Sequence, residues 1–220
     1  RIRVYRNSMN LGQHATKNRG VALSNGAFVK FCDGDDLLEP DCVARMMAAL
    51  QSGGANAVMA VCRSIQIDEA GRRVGVSRRH GLVGVVDGQR LLDVYFSQRR
   101  AGSLFGNPTA VLFRRVAFDA VGGMPADRSW SGDLETCLRV AIRGDVVFVP
   151  EALVRYRLQS RSVTRTTSVR QGIDDNLRLI GRVSEDLAKL GGTGARALTG
   201  AGKDWPVWIN RSFIFAHWYR

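Results

Sequence analysis

Apolar and polar positions alternate in short blocks along this chain, and the period of each block indicates its secondary structure. Apolar residues spaced two apart, or in a short continuous run, predict a strand, whereas spacings of three and four predict a helix. Strands are predicted at residues 2–5, 27–32, 57–62, 109–113, 146–149 and 153–157. Helices are predicted at residues 14–24, 39–50, 89–97, 114–121, 133–142, 170–190 and 204–219.

Strands and helices follow one another in turn up to about residue 165. This order is typical of an α/β fold, and it predicts a mostly parallel sheet with helices on both faces. We expect one α/β domain at residues 1–165 and a C-terminal helical region at residues 166–220. Because the chain opens directly on a predicted strand, we expect it to lack a preceding βα unit.

The composition indicates the cellular environment of the protein more clearly than its activity. The chain has 32 Lys and Arg against 20 Asp and Glu, a formal net charge of +12. Such a surface attracts anions, among them nucleotide diphosphates, phospholipids, an anionic membrane leaflet and nucleic acid. The sequence has no run of about 18 apolar residues, and its four cysteines lack the spacing of a zinc site. We therefore expect a cytoplasmic protein whose charge is compatible with peripheral association at the inner face of the membrane.

A cluster of acidic residues follows one of the predicted strands. Asp33, Asp35 and Asp36 surround Gly34 directly after the apolar segment 27–32. In open α/β sheets, ligands bind beyond the carboxyl ends of the strands. Adjacent carboxylates repel each other unless a cation compensates, and Mg²⁺ or Mn²⁺ takes oxygen ligands while leaving positions for substrate phosphates. The alternative is a helix cap, in which Asp35 or Asp36 accepts hydrogen bonds from backbone amides.

Several short motifs accompany this cluster in a fixed order over residues 4–164. In the first half they are Asn10-x-Gly12, Lys17-Asn18, Gly26-x-Phe28-Val29 and Phe31-x-Asp33-Gly34-Asp35-Asp36, followed by Pro40. In the second half they are Val111–Arg115, Phe118, Val121-Gly122-Gly123, Asp133, Leu138–Ala141, Gly144, Val149-Pro150-Glu151 and Tyr156-Arg157. Together they resemble the pattern of glycosyltransferase family 2. The resemblance implies a Rossmann-like GT-A fold and an inverting enzyme with a nucleotide-sugar donor.

By this resemblance, the acidic cluster binds the donor and a metal ion. Asp33 would lie near the donor ribose and diphosphate, and Asp35 would ligate Mn²⁺ or Mg²⁺ with Asp33 beside it. The cation would stabilise the negative charge that builds on the leaving phosphate. Asp36 would either support the metal shell or cap the following helix. Three further donor-binding candidates are Lys17, Asn18 and Arg161. For Lys17 and Arg161, an exposed position in solvent is the alternative.

The resemblance also points to a catalytic base. Asp133 would take a proton from the acceptor hydroxyl as that hydroxyl attacks the anomeric carbon, and its alternative is a helix N-cap. The family has Glu before this Asp, whereas this chain has Gly132. Glu135 would point to another face of the helix and is the reserve candidate. Gln159 stands where the family often has a His, two residues after Arg157.

The resemblance implies a hexosyltransferase of polysaccharide biosynthesis that uses a UDP- or GDP-sugar and a saccharide or lipid-linked acceptor. Two alternatives stay open: a noncatalytic GT-A remnant or partner-binding fragment, and a basic nucleic-acid-binding module. The second is disfavoured, since carboxylates at the ligand edge of the sheet repel phosphates unless a metal ion is bound. The three histidines, His14, His80 and His217, are far apart in the sequence, and we interpret them as structural.

Overall fold

The structure is a computed structural model that describes residues 2–77, 81–97, 104–127, 130–160 and 162–190. The helices are α1 (Gln13–Ala22), α2 (Cys42–Ser52), α3 (Gly88–Ser97), α4 (Arg115–Ala120), α5 (Gly132–Ala141), α6 (Val163–Thr166) and α7 (Val169–Lys189). The strands are β1 (Phe28–Lys30), β2 (Leu37–Leu38), β3 (Ala57–Ile67), β4 (Arg73–Val76), β5 (Gly84–Val86), β6 (Val111–Arg114) and β7 (Asp145–Arg157). The predicted helix at 204–219 lies outside the described residues.

The strands of the described region form one mixed sheet in the order β1-β6-β3-β7-β2, with β4 on β3 and β5 on β7. The α/β class is confirmed, but the sheet is mixed instead of mostly parallel. Within the described residues β3 and β7 form the one parallel pair, with Val61 opposite Phe148. The reason is that β6 lies between β1 and β3 and runs antiparallel to both, while β2 and β5 return antiparallel along β7.

Two strand predictions need correction. Residues 2–5 alternate as a strand does, but they form no strand, and Ile2 and Val4 are 91% and 89% exposed. Alternating apolar and polar residues favour an extended conformation, but a strand also needs a neighbouring strand to pair with. No described strand pairs with this segment. The predicted strands at 146–149 and 153–157 are one strand, β7, in which Pro150 lies where the register to β3 shifts. Such an irregularity accommodates a proline because proline lacks a backbone donor.

Both faces of the sheet are covered, which explains the continuous apolar run of β3. Met59 and Val61 belong to a cluster that also includes residues of α4, α5 and α7, whereas Ala60 and Cys62 pack into a second cluster with α2. A strand buried on both sides reads as an uninterrupted apolar segment. None of the described helices is both long enough and apolar enough to cross a bilayer.

The long helix α7 packs against α5 through apolar and charged contacts. Leu179, Val183 and Leu187 belong to the cluster that includes β3. Buried Glu135 lies 3.3 Å from an Arg182 nitrogen, and Arg139 Nε lies 2.8 Å from an Asp186 oxygen. Helix α7 of the predicted C-terminal region therefore shares the core of the α/β part, while the boundary at residue 165 stays a prediction.

Candidate active site

A cleft of about 580 Å³ opens at the edge of the sheet where β1 ends. Its walls come from the first turn of α1, the segment after β1, the first turn of α5 and the end of β7. Asp33, Asp35 and Asp133 all line it, although 100 residues separate the first from the last. The fold thus brings together the predicted metal-binding residues and the predicted base.

Asp33 forms an ion pair within this cleft. Its carboxylate lies 2.7 Å from Nζ of Lys17, whose side chain is 12% exposed and sits 5.8 Å from the centre of the Phe31 ring. The alternative of Lys17 as an exposed surface lysine is therefore wrong. The Lys17 ammonium makes no well-aligned hydrogen bond within the described residues. It can still donate hydrogen bonds to an anionic ligand.

Asp35 is held by the end of β7. Gln159 Nε2 donates a 2.7 Å hydrogen bond to its carboxylate, and Arg157 Nε donates a 2.9 Å bond to its backbone carbonyl. Within the described residues, no group of three or more acidic, His or Cys side chains is placed to enclose a metal ion. Two carboxylates facing a cleft still fit Mg²⁺ or Mn²⁺, because such ions bind through one or two carboxylates together with substrate phosphates and water. The residues present therefore fit the cation.

Asp36 is buried and connects three segments through its carboxylate, while its predicted support of the metal shell stays a prediction. Its carboxylate is 6% exposed and accepts hydrogen bonds from Asn107 Nδ2 at 2.8 Å, from the Thr109 hydroxyl, and from the backbone N–H of Arg157 at 3.0 Å. The following helix begins only at Cys42, so Asp36 does not cap it. Burial raises the pKa of Asp36, and the bonds from Thr109 and Arg157 oppose this rise. Asp36 joins the segment after β1 to the segment before β6 and to the end of β7.

Asp133 lies in the first turn of α5, at the wall of the cleft that faces the first turn of α1. Its carboxylate accepts a 2.8 Å hydrogen bond from the backbone N–H of Leu134. Burial raises the pKa of Asp133, and the nearby charges of His14 and Lys17 lower it. The N-cap of α5 is Ser131, so the alternative of Asp133 as N-cap is wrong. Glu135 does not line the cleft, and its charge is paired with arginines at the α5–α7 contact.

His14 explains why this chain has glycine at position 132. A Cβ atom on Gly132 would lie 2.4 Å from Cε1 of the His14 ring, closer than real Cβ contacts allow. His14 is 2% exposed and lines the cleft beside Asp133. The sequence interpretation treated this histidine as structural and gave it no place at the site. The missing Glu before Asp133 was the available signal, but the contact joins residues 118 positions apart.

The other predicted donor-binding residues are placed as follows. Asn18 does not line the cleft, and its amide clamps the backbone of Met124, donating a 2.7 Å bond to the carbonyl and accepting a 2.9 Å bond from the N–H. It supports the loop that precedes α5. Arg161 lies outside the described residues. Asn107, which donates a hydrogen bond to Asp36, lines the cleft.

Comparison of the fold with solved structures defines its class as GT-A. The chain is similar to residues 1–349 of S. aureus TarS in complex with UDP-GlcNAc, with a TM-score of 0.61 and 14% identity over 93% of this chain and 62% of the other. It is also similar to the mannosyltransferase PcManGT from Pyrobaculum calidifontis in complex with GDP-Man and Mn²⁺, with a TM-score of 0.52 and 18% identity over 95% and 66%. At these identities the similarity shows the fold.

The sequence profile of Glycosyl transferase family 2 matches residues 1–122, more than half of the chain. The chain belongs to this family. It is also 27% identical over 184 residues to the uncharacterized protein MT1568 of Mycobacterium tuberculosis, which covers 81% of this chain. The chain spans 57% of the length of that relative.

Proposed function

We propose that this chain is an inverting glycosyltransferase that transfers a hexosyl group from a nucleotide diphosphate sugar to a saccharide or lipid-linked acceptor. One observation carries the proposal: Asp33, Asp35 and Asp133 line the same cleft. Family membership and the fold support glycosyl transfer, and the neighbouring structures hold UDP-GlcNAc and GDP-Man. Diphosphate release from a panel of UDP- and GDP-sugars decides which nucleotide the donor carries.

The donor side of the proposed site carries both a cation site and a basic residue. Asp35, with Asp33 beside it, would hold Mn²⁺ or Mg²⁺, and the bound cation supplies Lewis-acid stabilisation of the leaving diphosphate. The presence of Mn²⁺ in the PcManGT complex supports this assignment. Lys17 forms a 2.7 Å ion pair with Asp33, which lines the cleft, and we assign Lys17 to the phosphates of the donor. A positioned ammonium favours a dianionic group in a partly enclosed cleft.

The acceptor side depends on Asp133. Its carboxylate takes the proton from the attacking hydroxyl while the hydroxyl oxygen bonds to the anomeric carbon. The bond from that carbon to the phosphate oxygen breaks on the opposite face, and the nucleoside diphosphate leaves. Burial strengthens Asp133 as a base, because it raises the pKa of the carboxyl group toward the operating pH.

We place the reaction at the inner face of the membrane, in polysaccharide biosynthesis. The formal charge of +12 supports peripheral attachment to an anionic leaflet, where a lipid-linked acceptor is available. This placement predicts that the protein binds vesicles containing anionic lipid and does not bind vesicles of neutral lipid alone.

The test is release of nucleoside diphosphate from a panel of UDP- and GDP-sugars with Mn²⁺, for the wild type and for Asp133→Asn. We expect the wild type to turn over one donor, and the Asn variant to bind that donor equally well while turning over at least about a hundredfold more slowly. Full activity of Asp133→Asn would show that Asp133 is not the base. Absence of metal-dependent nucleotide binding in the wild type would instead support the noncatalytic remnant.

A further inference from the structure

Ser131 has a buried hydroxyl group that does not make the hydrogen bond expected at its position. It is the N-cap residue of α5, where a serine hydroxyl ordinarily accepts a hydrogen bond from a backbone N–H two or three residues later. No such bond is present, and within the described residues Ser131 Oγ has no hydrogen-bond partner. The side chain is 3% exposed and lines the cleft.

A second polar side chain borders the same part of the cleft. The His14 ring fills the space that Gly132 leaves, so it lies directly against the peptide between Ser131 and Asp133. It too is buried and lines the cleft. Ser131 and His14 therefore both border the backbone that presents the proposed base, and both line the cleft.

The chemistry of these two groups matches a saccharide hydroxyl. A serine hydroxyl both donates and accepts hydrogen bonds, and the ring nitrogens of histidine are also hydrogen-bonding groups. The buried Ser131 hydroxyl, which has no partner within the described residues, is destabilising, and a ligand group that pairs with it removes that penalty. A sugar carries adjacent hydroxyl groups that donate and accept in the same way. The donor diphosphate, in contrast, is matched by Lys17 and by the cation that the carboxylates after β1 would hold.

We propose that Ser131 and His14 form a hydroxyl-binding subsite that orients a saccharide acceptor toward Asp133. The assignment rests on the proposed function, because it takes Asp133 as the base. It goes further by locating the acceptor at the first turn of α5 and by naming the two side chains that recognise it. The acceptor is then selected by at least one hydroxyl next to the one that attacks.

The first experiment measures saccharide binding directly. Saturation-transfer difference NMR is run with the methyl glycosides of glucose, galactose, mannose and N-acetylglucosamine, in the presence of UDP or GDP and Mn²⁺. We expect the wild type to bind at least one glycoside and Ser131→Ala to bind it about fivefold to tenfold more weakly, with unchanged nucleotide affinity. Thr136→Val is the matched control, since this buried hydroxyl on the same helix donates to the Gly132 carbonyl and does not line the cleft.

A second experiment separates a binding role of His14 from a packing role. Gly132→Ala forces the His14 ring out of its place, whereas His14→Ala leaves a space beside Gly132. The double variant His14→Ala, Gly132→Ala returns part of the lost volume, so thermal stability should recover relative to the single variants. If His14 binds the acceptor, saccharide affinity stays weakened in the double variant despite that recovery.

Two results would overturn the inference. One is a wild type that binds none of the four glycosides, and the other is a Ser131→Ala variant with unchanged saccharide affinity, as expected if the hydroxyl binds only a water molecule. Nucleotide affinity and diphosphate release are measured on the same samples. A wild type that neither binds nucleotide nor releases diphosphate would contradict the proposed function. The saccharide binding data would still report on Ser131 and His14.

Discussion

Asp133 occupies a position that raises the free energy of its charged form. Burial raises the pKa of its carboxyl group, which means that the folded protein binds the proton of Asp133 more tightly than the unfolded chain does. The nearby charges of His14 and Lys17 reduce this penalty without removing it. A base with a raised pKa is useful for proton transfer near neutral pH, and stability is commonly lost at such positions.

The pKa of Asp133 leads to a prediction about stability. An acid whose pKa is raised in the folded state makes the free energy of unfolding fall as the pH rises. The fall begins near the unfolded pKa of about 3.9 and ends above the folded pKa. At higher pH the loss of stability persists. Asp133→Asn has no such loss. We expect the variant to be more stable than the wild type at pH 7 and the difference to shrink toward pH 4, as measured by urea unfolding without ligand. A variant that is less stable at pH 7 would contradict this account.

The residues of the site differ in how far the sequence could predict them. Asp33, Asp35 and Asp133 follow from local motifs, because each stands at a fixed place relative to a strand or helix. The tasks of Asp36 and His14 depend on contacts with Thr109 and Gly132, which are far away in the sequence. No local pattern records such a contact, so the available interpretations were a metal-shell or cap role for Asp36 and a structural role for His14.

At the scale of elements, the contact between α5 and α7 holds the helix that presents Asp133. Arg139 on α5 lies 2.8 Å from Asp186 and 3.7 Å from buried Glu135. Burial alone would raise the pKa of Asp186, but the hydrogen bonds and charges of Arg139 and Arg143 together outweigh it and leave the pKa below its usual value. The carboxylates of this contact are thus stabilised by arginine from both helices.

Loss of Arg139 should weaken this contact. Arg139→Met leaves two largely buried carboxylates with only Arg143 and Arg182 to compensate them, and we expect the free energy of unfolding to fall by about 2 kcal/mol. Chemical denaturation measures the change. Arg178→Met, at an exposed position of α7, is the control and should change stability by less than about 0.5 kcal/mol. Equal stability of the two variants would show that the ion pairs contribute little.

Element boundaries were more predictable than strand directions. The apolar run after residue 56 predicted β3, and the helical spacing of residues 133–142 matches α5 closely. Whether a neighbouring strand runs parallel or antiparallel depends on which strands pair, as the insertion of β6 between β1 and β3 shows. The side-chain pattern of one strand carries no information about the direction of its neighbour, so the mixed sheet could not be predicted.

At the scale of the whole molecule, the cleft is built by segments from distant parts of the chain. Its lining residues include His14, Asp33, Asp133 and Tyr156. Asp36, Asn18 and Arg157 connect such segments through hydrogen bonds over 71 to 122 residues of sequence. A correctly assembled cleft is therefore a property of the complete fold, and variants at the site need a stability measurement beside every binding measurement.

The central claim is that Asp35 holds a cation that couples metal binding to nucleotide binding. Calorimetric titration of UDP and GDP, with and without Mn²⁺, tests it in the wild type, in Asp35→Ala and in Asp41→Ala, an acidic residue whose side chain is 56% exposed and lies outside the cleft. The account predicts Mn²⁺-dependent binding of one nucleotide by the wild type and by Asp41→Ala, and its loss in a folded Asp35→Ala protein. Retention of Mn²⁺-dependent binding by Asp35→Ala would contradict the account.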